Sequence, residues 1–220
     1  KQVKAEKEEV IKKLKEMATK IQSKEELIEV ARVAVEDEKL AELIGSTQWD
    51  LGEDGNIIAE ESNDTEDSIE RINGIRWDNG FGTSLVINNQ EKQRLEVENV
   101  KVILTNYTFQ NFAQIKSLLD NLVRNGHREI AIIARAFTDE AIRLCMENHK
   151  VGIKVYPLNA PFVNQGEIMR DIASVIGGNY YDQENSNIED MTIDDVGTAK
   201  KLICQRFSAI ITGEREEVEG

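Results

Sequence analysis

An α/β domain preceded by a mostly helical segment is the architecture that this 220-residue sequence predicts. In the first part of the chain, apolar residues recur at helical spacing among charges. Further along, short apolar runs typical of buried strands alternate with amphipathic helical patterns. Hydrophobic residues make up 40% of the chain, which is enough for a sizeable core. We therefore expect a helix over residues 1–22 and a mostly helical segment over residues 23–73, followed by a strand-and-helix domain over residues 74–220.

The helical segment is predicted to contain consecutive amphipathic helices. The apolar spacing over residues 1–22 indicates the first of them. Ser23 stands three residues before Glu26, a spacing typical of a capped helix start, and the second helical pattern continues to Val35. Residues 37–50 carry a third helical pattern. We expect helices with short connections up to the end of this third pattern.

A glycine-rich break is expected to end the third helix. Gly52 and Gly55 interrupt the helical pattern, and residues 56–59 have the pattern of a short strand. Residues 60–70 are acidic and polar, with little apolar surface to bury. We therefore place a domain boundary, and a hinge between the two domains, near Asn73.

Strand and helix patterns alternate in the rest of the chain. The predicted strands cover residues 84–88, 97–104, 130–134, 152–156 and 202–212. The predicted helices cover residues 108–125, 138–149, 165–176 and 194–201. Thr138 is a typical helix N-cap, and Gly126 and Gly177 are typical of helix ends. This alternation favours an α/β domain.

The formal net charge of −14 argues against several classes of partner. A negative field over most of the surface opposes binding to nucleic acid or anionic lipid. The lysines of residues 1–20 do not form a basic patch, because glutamates are interleaved with them at helical spacing. No apolar run approaches the roughly 18 residues of a membrane span, and the N-terminus has no signal-peptide pattern. We expect a soluble, cytoplasmic protein that binds neither nucleic acid nor membrane.

The cysteines and histidines are too isolated in sequence to indicate a metal site. Cys145 and Cys204 each lie within an apolar segment, which favours buried free thiols over a disulfide. His127 and His149 have no second ligand at the spacing of a zinc site. We expect no metal site.

The stretch WDNGFGTSLVINN, residues 77–89, has the glycine spacing of a phosphate-binding loop at Gly80 and Gly82, but no GK[ST] follows. A nucleotide-binding α/β enzyme is one alternative. Such an enzyme needs a glycine-rich turn between strand and helix, and ARAF at residues 134–137 contains no glycine. A receiver-type phosphotransfer domain is another, and it needs acids clustered at strand ends with a lysine. The candidate acids, which do not occur in that order, are Glu129, Asp139 and Asp182.

The predicted helix 138–149 has more apolar surface than packing on a sheet requires. At 100° per residue, Ala141, Leu144 and Cys145 form one compact face. Ile142 and Met146 lie on an adjacent face, outside the stripe of about 100° that a sheet would cover.

The preceding helix, 108–125, has a similar excess. The residues that can face the sheet are Ile115, Leu118 and Leu122. Leu119 and Val123 extend the apolar surface round the helix, beside Lys116. Either both helices are deeply buried, or their extra faces meet each other, or the two helices form an exposed groove for extended peptides or partner helices.

Several stretches, in order along the chain, resemble the apical domain of GroEL-type (group I) chaperonins. They are GIRWDNGFGTSLVINN, RNGHREIAIIA, VGIKVYPLNAP, EIMRDIASVIGG and TIDDVGTAKKLI. Upstream, DEKLAELI and GEDGNIIAEES resemble the intermediate domain of that family, and residues 1–20 resemble the helix that leaves its equatorial domain. The resemblance covers nearly the whole chain and marks a divergent member.

The resemblance implies a domain order. Residues 1–22 would be the end of an equatorial-domain helix, residues 23–73 an intermediate-domain segment, and residues 74–220 a C-terminally truncated apical domain. The ATP-binding motif of the family, Gly-Asp-Gly-Thr-Thr, does not occur in the sequence. We therefore expect a fragment that is not an enzyme and binds no cofactor, from a full-length parent that binds ATP and Mg and hydrolyses ATP.

The family resemblance also implies binding residues and partners. In the family, a groove at the mouth of a ring-shaped cavity holds non-native polypeptides and the mobile loop of a GroES-like co-chaperonin. The corresponding residues are Phe81, Leu85, Val86, Lys116, Leu119, Ile142, Met146 and Asn148. The resemblance thus implies a chaperone that binds unfolded protein and whose parent self-associates into a ring. The stretch 77–89 is then a peptide-binding edge.

This chain departs from the family pattern at several positions of the groove. Leu85 and Val86 stand where the family has aromatic residues, and Lys116 stands where it has an aliphatic one. Residues 162–164 replace the Gly-Phe-Gly of the family, and this replacement argues against the use of a co-chaperonin. These departures keep an alternative open, in which the chain is part of a structural ring or scaffold protein that keeps the fold without binding clients.

Overall fold

The computed structural model describes residues 21–52, 57 and 74–213. The chain divides into two compact units, Lys1–Ser68 and Ile69–Gly220. The helix predicted over residues 1–22, apart from its last two residues, lies outside the described residues, as do the acidic stretch 60–70 and the hinge at Asn73. Of the short strand predicted over residues 56–59, only Ile57 is described.

The described part of the first unit is a pair of helices. They are α1 (Lys24–Ala34) and α2 (Glu38–Leu51). Ser23 caps α1 by accepting a hydrogen bond from the backbone N–H of Glu26, and the Asp37 carboxylate caps α2 in the same way. The two helices cross closely at Gly45, where a Cβ would lie 2.7 Å from the Cα of Ile28. Both helices match the sequence prediction.

The described part of the second unit is built on a mixed sheet. Its strands are β1 (Ile75–Trp77), β2 (Leu95–Thr105), β3 (Thr108–Phe109), β4 (Glu129–Ala134), β5 (Ala136–Phe137), β6 (Lys154–Asn159), β7 (Tyr180–Tyr181), β8 (Gly197–Cys204) and β9 (Ala209–Thr212). Seven of them form one sheet in the order β1-β9-β8-β2-β4-β6, with β7 paired to the end of β2. Strands β2, β4, β6 and β7 run parallel, whereas β1, β9 and β8 are antiparallel to their neighbours. Strands β3 and β5 pair separately.

Helices cover both faces of this sheet. They are α3 (Lys116–Arg124), α4 (Asp139–Lys150) and α5 (Gln165–Ile176). Ile130 and Ile132 of β4 pack with α3 and α4 in one buried cluster, whereas Ala131 and Ile133 pack with α5 in the other. Because successive side chains of a strand point to opposite faces, α3 and α4 share one face of the sheet and α5 lies on the other. The predicted α/β fold class is therefore confirmed.

Of two predicted elements near the C-terminus, the helix is wrong and the strand is interrupted by a turn. The predicted helix 194–201 is mostly strand β8, and the predicted strand 202–212 is the hairpin of β8 and β9. Strand β8 pairs with β2 from Cys204 to Gly197, a partner far away in sequence that local periodicity cannot show. Gly197 is also required for packing, since a Cβ there would lie 2.4 Å from Cγ1 of Ile176.

Three further predictions are displaced or wrong. The strand predicted over 84–88 is a single 3₁₀ turn, Ser84–Val86, which the Thr83 side chain caps. The helix predicted from residue 108 begins as α3 at Lys116, because residues 108–109 form β3 instead. The strand predicted over 152–156 is β6, a few residues later. The other predicted strands and helices of this unit occur close to their expected positions.

The two thiols are free and buried, as predicted. Burial raises the pKa of the Cys145 thiol to about 12, and burial also raises the pKa of Cys204. Among the described residues, no group of three or more His, Cys, Asp or Glu side chains is placed to hold a metal ion. Over the same residues, no helix combines the length and apolar character needed to cross a membrane.

We expect both thiols to be unreactive toward Ellman's reagent at about pH 8 in the native chain, because full burial keeps the reagent from the sulfur atoms and raises the pKa of each thiol, so that little thiolate forms. Unfolding in guanidinium chloride should release both thiols for reaction. The measurement is the absorbance change on mixing, with and without denaturant. Rapid reaction of either cysteine in the native chain would contradict the burial.

Candidate functional site

The stretch 77–89 lies along the outer edge of the sheet. Phe81 makes an isolated antiparallel bridge with Leu158 of β6, and the N–H of Gly82 donates to the carbonyl of Pro157 at 2.8 Å. Strand β6 is the edge strand here, which suits its proline. This stretch therefore covers an otherwise open sheet edge.

Side chains anchor the same stretch to the end of β6. Trp77 is buried, and its Nε1–H donates to the carbonyl of Asn159 at 3.0 Å. The Nδ2 amide of Asn79 donates to the carbonyl of Ala160 at 2.9 Å. The glycine-containing loop thus uses its polar groups to hold the sheet edge.

The three residues predicted here as binding residues have different exposures. Phe81 is half-buried and packs against the core cluster that includes α5. Leu85 is 70% exposed. Val86 is 3% exposed and belongs to the core, so the predicted exposure of Val86 is wrong. Its burial follows from the 3₁₀ turn, which directs consecutive side chains to different sides of the chain.

Helix α3 has the two faces that the sequence predicts. Leu118 and Leu122 are buried against the sheet, together with Ile115 of the preceding turn. Lys116 is exposed, and Leu119 is half-buried at the border of the core. The first turn of α3 therefore combines a charge and an apolar side chain at the surface.

Helix α4 buries a narrower stripe than predicted. Ala141 and Cys145 are fully buried, and Leu144, assigned to the same face, packs against the same core cluster but is only half-buried. Met146 is half-buried and packs against both core clusters, as a long, flexible side chain at a border can. Among the described residues, Ile142 is also half-buried, but it is not one of those that pack against either buried cluster.

Asn148, the last predicted binding residue, lies near the end of α4. Its Nδ2 amide donates to the carbonyl of Leu144 in the same helix, at 2.9 Å. The side chain is half-buried. The amide donor is therefore engaged within the helix in this structure.

The predicted segments belong to neighbouring elements of the fold. Helix α3 connects β2 to β4 and α4 connects β4 to β6, and both lie on one face of the sheet. Residues 79–82 of the stretch bond to β6 and to the residue after it, and β6 is the strand that follows α4 in the chain. We call Phe81, Leu85, Lys116, Leu119, Ile142 and Met146, which the resemblance assigns to one surface, the candidate groove. It combines half-buried apolar side chains with one exposed apolar and one exposed charged side chain.

A second concave surface lies where α5 ends. This cavity of about 520 Å³ is lined by Arg170, Ala173, Ser174, Gly178, Asn179, Tyr180, Asp182, Asn185 and Ser186. The N–H of Glu184 and the amide of Asn106 donate to the Asp182 carboxylate and lower its pKa. Burial, and then the Asp182 charge, raises the pKa of Tyr180. No local sequence pattern signals this cavity, because a helix, a strand and a loop meet there only in the fold.

The structure described so far is an α/β domain. Its sheet edge and two neighbouring helices present apolar side chains. No protein-family model matches the chain. The chain is similar to proteins named Chaperonin GroEL from Onion yellows phytoplasma (strain OY-M) and Aster yellows witches'-broom phytoplasma (strain AYWB). Each is 26% identical over 214 residues, which cover 96% of this chain and 40% of the relative.

The predicted resemblance to GroEL-type chaperonins is therefore confirmed over nearly the whole chain. The chain spans 40% of the length of these relatives, at an identity that marks it as divergent. The α/β fold described above is consistent with an apical-domain-like unit.

Proposed function

We propose that this chain is the polypeptide-binding part of a GroEL-like chaperonin and that it holds non-native polypeptides along the candidate groove. The proposal rests chiefly on the environment of Ile142. The fold places this large apolar side chain beside the core, but the side chain packs into neither buried cluster. Leu85, 70% exposed at the sheet edge, adds a second such side chain. The similarity to GroEL proteins supports the same function.

The energetic argument concerns apolar surface left in contact with water. Fully burying a Leu or Ile side chain gains roughly 1.5–3 kcal/mol, and each exposed one forgoes part of that gain. The free energy of unfolding of a domain is only about 5–15 kcal/mol, so one exposed and several half-buried apolar side chains together forgo a noticeable part of it. An extended segment of a non-native client would recover this energy by covering them.

The activity of the whole protein is part of the proposal. By the resemblance, the parent would bind ATP and Mg, hydrolyse ATP, assemble into a ring and use a GroES-like co-chaperonin. The residues 74–220 would be its apical domain, and the hinge near Asn73 would let that domain move. In this proposal the nucleotide chemistry belongs to the part of the relatives that the chain does not match, since it spans 40% of their length.

One observation favours the alternative of a structural ring or scaffold protein. Lys116 is exposed at the start of α3, within the candidate groove. A hydrated charge in an apolar wall weakens binding of an apolar segment, because the ammonium group must lose water when it is covered. A protein that no longer binds clients would tolerate such a residue.

The test of the proposal is suppression of aggregation. A chemically denatured enzyme is diluted into buffer with increasing amounts of the 220-residue chain, and light scattering is followed. We expect scattering to fall as the chain is added, and we expect no such effect from bovine serum albumin at equal mass. Scattering that stays unchanged at a large excess of the chain would favour the scaffold alternative.

Lys116→Leu is expected to strengthen client capture. The substitution removes the desolvation cost of the ammonium group and adds apolar surface, so the concentration for half-maximal suppression should fall by about threefold or more. The measurement is the same scattering assay.

The matched control is Lys200→Leu, which replaces another exposed lysine, on β8, away from the candidate groove. This variant should leave the half-maximal concentration unchanged. An equal improvement in both variants would mean that capture depends on general surface hydrophobicity and not on the groove.

A further inference from the structure

Strands β3 and β5 form a short parallel pair just before the two helices of the groove. Thr108 and Phe109 pair with Ala136 and Phe137. Further bonds continue the pairing: the N–H of Thr138 donates to the carbonyl of Phe109 at 2.9 Å, and the Thr138 hydroxyl donates to a neighbouring carbonyl at 3.1 Å. We call this β3–β5 pair the joint. It ties the chain leading into α3 to the first residues of α4.

An aromatic stack reinforces the joint. The rings of Phe109 and Phe137 are nearly parallel, with centroids 5.8 Å apart and an angle of 18° between their planes. Phe109 is fully buried and also contacts Phe112, with centroids 5.6 Å apart. Phe112 directly precedes the turn Ala113–Ile115 that leads into α3. The stack therefore links the start of α4 to the start of α3 through side chains.

Phe137 also lies near the third segment of the groove. A Cβ placed on Gly82 would lie 3.6 Å from Cδ2 of Phe137, at ordinary van der Waals distance. Gly82 itself is held on β6 by its bond to Pro157. The half-buried ring of Phe137 thus stacks on Phe109, which leads to α3, and has its edge near Gly82 of the sheet-edge stretch.

We propose that Phe137 is a positioning residue, which sets the separation of α3, α4 and the stretch 77–89 and so keeps the candidate groove at one width. The part of this proposal that concerns clients rests on the proposed function. Without the ring, the joint and the shared buried cluster would still hold the two helix starts, but no aromatic stack would link them. A groove of variable width binds more weakly, because the binding surface must be ordered at the moment of binding.

The experiment measures the width without any client. Spin labels are placed on α3 and α4 by Ser117→Cys and Arg143→Cys, both at exposed positions. The native thiols are buried, and the pKa of Cys145 is raised to about 12, so they should not take the label. Pulsed electron paramagnetic resonance then gives the distribution of label-to-label distances in the 220-residue chain.

Phe137→Ala is expected to broaden or shift this distribution by about 1 Å or more, and to raise the half-maximal concentration in the capture assay by about threefold. Phe137→Tyr keeps the ring and should restore both wild-type values. Ile168→Ala is the matched control, because Ile168 is a half-buried residue of α5 that packs on the opposite face of the sheet. It should change neither measurement.

An unchanged distance distribution in Phe137→Ala would overturn the proposal. Where Phe137→Ala does not fold, Phe137→Leu takes its place, with the same expected broadening and the same overturning result. The two proposals fail separately: a wild-type chain that captures no client refutes the proposed function, whereas the distances alone decide whether Phe137 positions the helices.

Discussion

Gly80→Ala is expected to lower the free energy of unfolding of the second unit by on the order of 3 kcal/mol or more. A Cβ at this position would lie 1.7 Å from the carbonyl oxygen of Gln205 and 2.6 Å from the carbonyl carbon of Arg206. Both are backbone atoms, which cannot rotate away as a side chain can. The methyl group would therefore have to separate the stretch 77–89 from the turn between β8 and β9.

Backbone hydrogen bonds on both sides of Gly80 oppose a shift of this residue away from the β8–β9 turn. Its carbonyl accepts a bond from the N–H of Asn159 at 2.8 Å, and the next N–H, that of Phe81, donates to Gln205 at 3.2 Å. Gly80 is not one of the glycines with positive φ, so the cost of alanine comes from the clash and not from backbone conformation.

Urea unfolding followed by circular dichroism measures the effect, and Gly166→Ala is the matched control. Gly166 lies in the first turn of α5, where the nearest atom to a new Cβ is a guanidinium nitrogen of Arg170 at 3.5 Å. Alanine should stabilise the helix there by about 0.5–1 kcal/mol. A Gly80→Ala variant as stable as the wild type would show that the loop does not approach the β8–β9 turn so closely.

The elements that sequence predicted well are those specified by local chemistry. Thr138 caps α4 by accepting a bond from the N–H of Ala141, and Gly177 ends α5 in a left-handed conformation with φ of 68°. Ser23 and Asp37 act in the same way on α1 and α2. Caps and periodicity act within a few residues, so the sequence alone reveals them.

The elements that sequence missed depend on partners far away in the chain. Strand β8 carries Lys200 and Lys201 after two aspartates, a pattern that is locally compatible with a helix. It is a strand because β2 and β9 supply hydrogen-bonding partners on both of its sides. The stretch around Val86 is similar, since it lies between the bridge of Phe81 to β6 and the bonds of Asn88 and Asn89 near the start of β2, and Val86 itself packs in the core.

Helical periodicity leaves two positions of α4, one on each side of its buried stripe, that it cannot by itself assign to the core or to the candidate groove. Ala141 and Cys145 define the centre of the buried stripe of α4. At 100° per residue, Ile142 and Leu144 lie about 80° to either side of that centre. The pattern therefore cannot tell which of the two packs on the core. The structure shows that Leu144 does, whereas Ile142 is not among the described residues that pack on it.

Ile142→Ser is expected to reduce client capture by about tenfold or more while lowering the free energy of unfolding by only about 1 kcal/mol. The side chain packs against neither buried cluster of the described residues, so its truncation opens no cavity in the core. It would, however, remove an apolar anchor from the middle of the candidate groove. The half-maximal concentration in the scattering assay and the urea midpoint are measured for the same preparation.

Two control variants distinguish the core-facing side chains of the helices from those of the candidate groove. Leu144→Ser changes a half-buried residue of the same helix that packs on the core, so it should cost more stability than Ile142→Ser and leave capture intact. Leu118→Ala truncates a residue of α3 that is 4% exposed, and it should cost about 2–5 kcal/mol by opening a cavity. A large loss of stability in Ile142→Ser, with capture retained, would mean that Ile142 is a core residue. The extra apolar faces of α3 and α4 would then serve burial alone, and no groove would remain to bind a client.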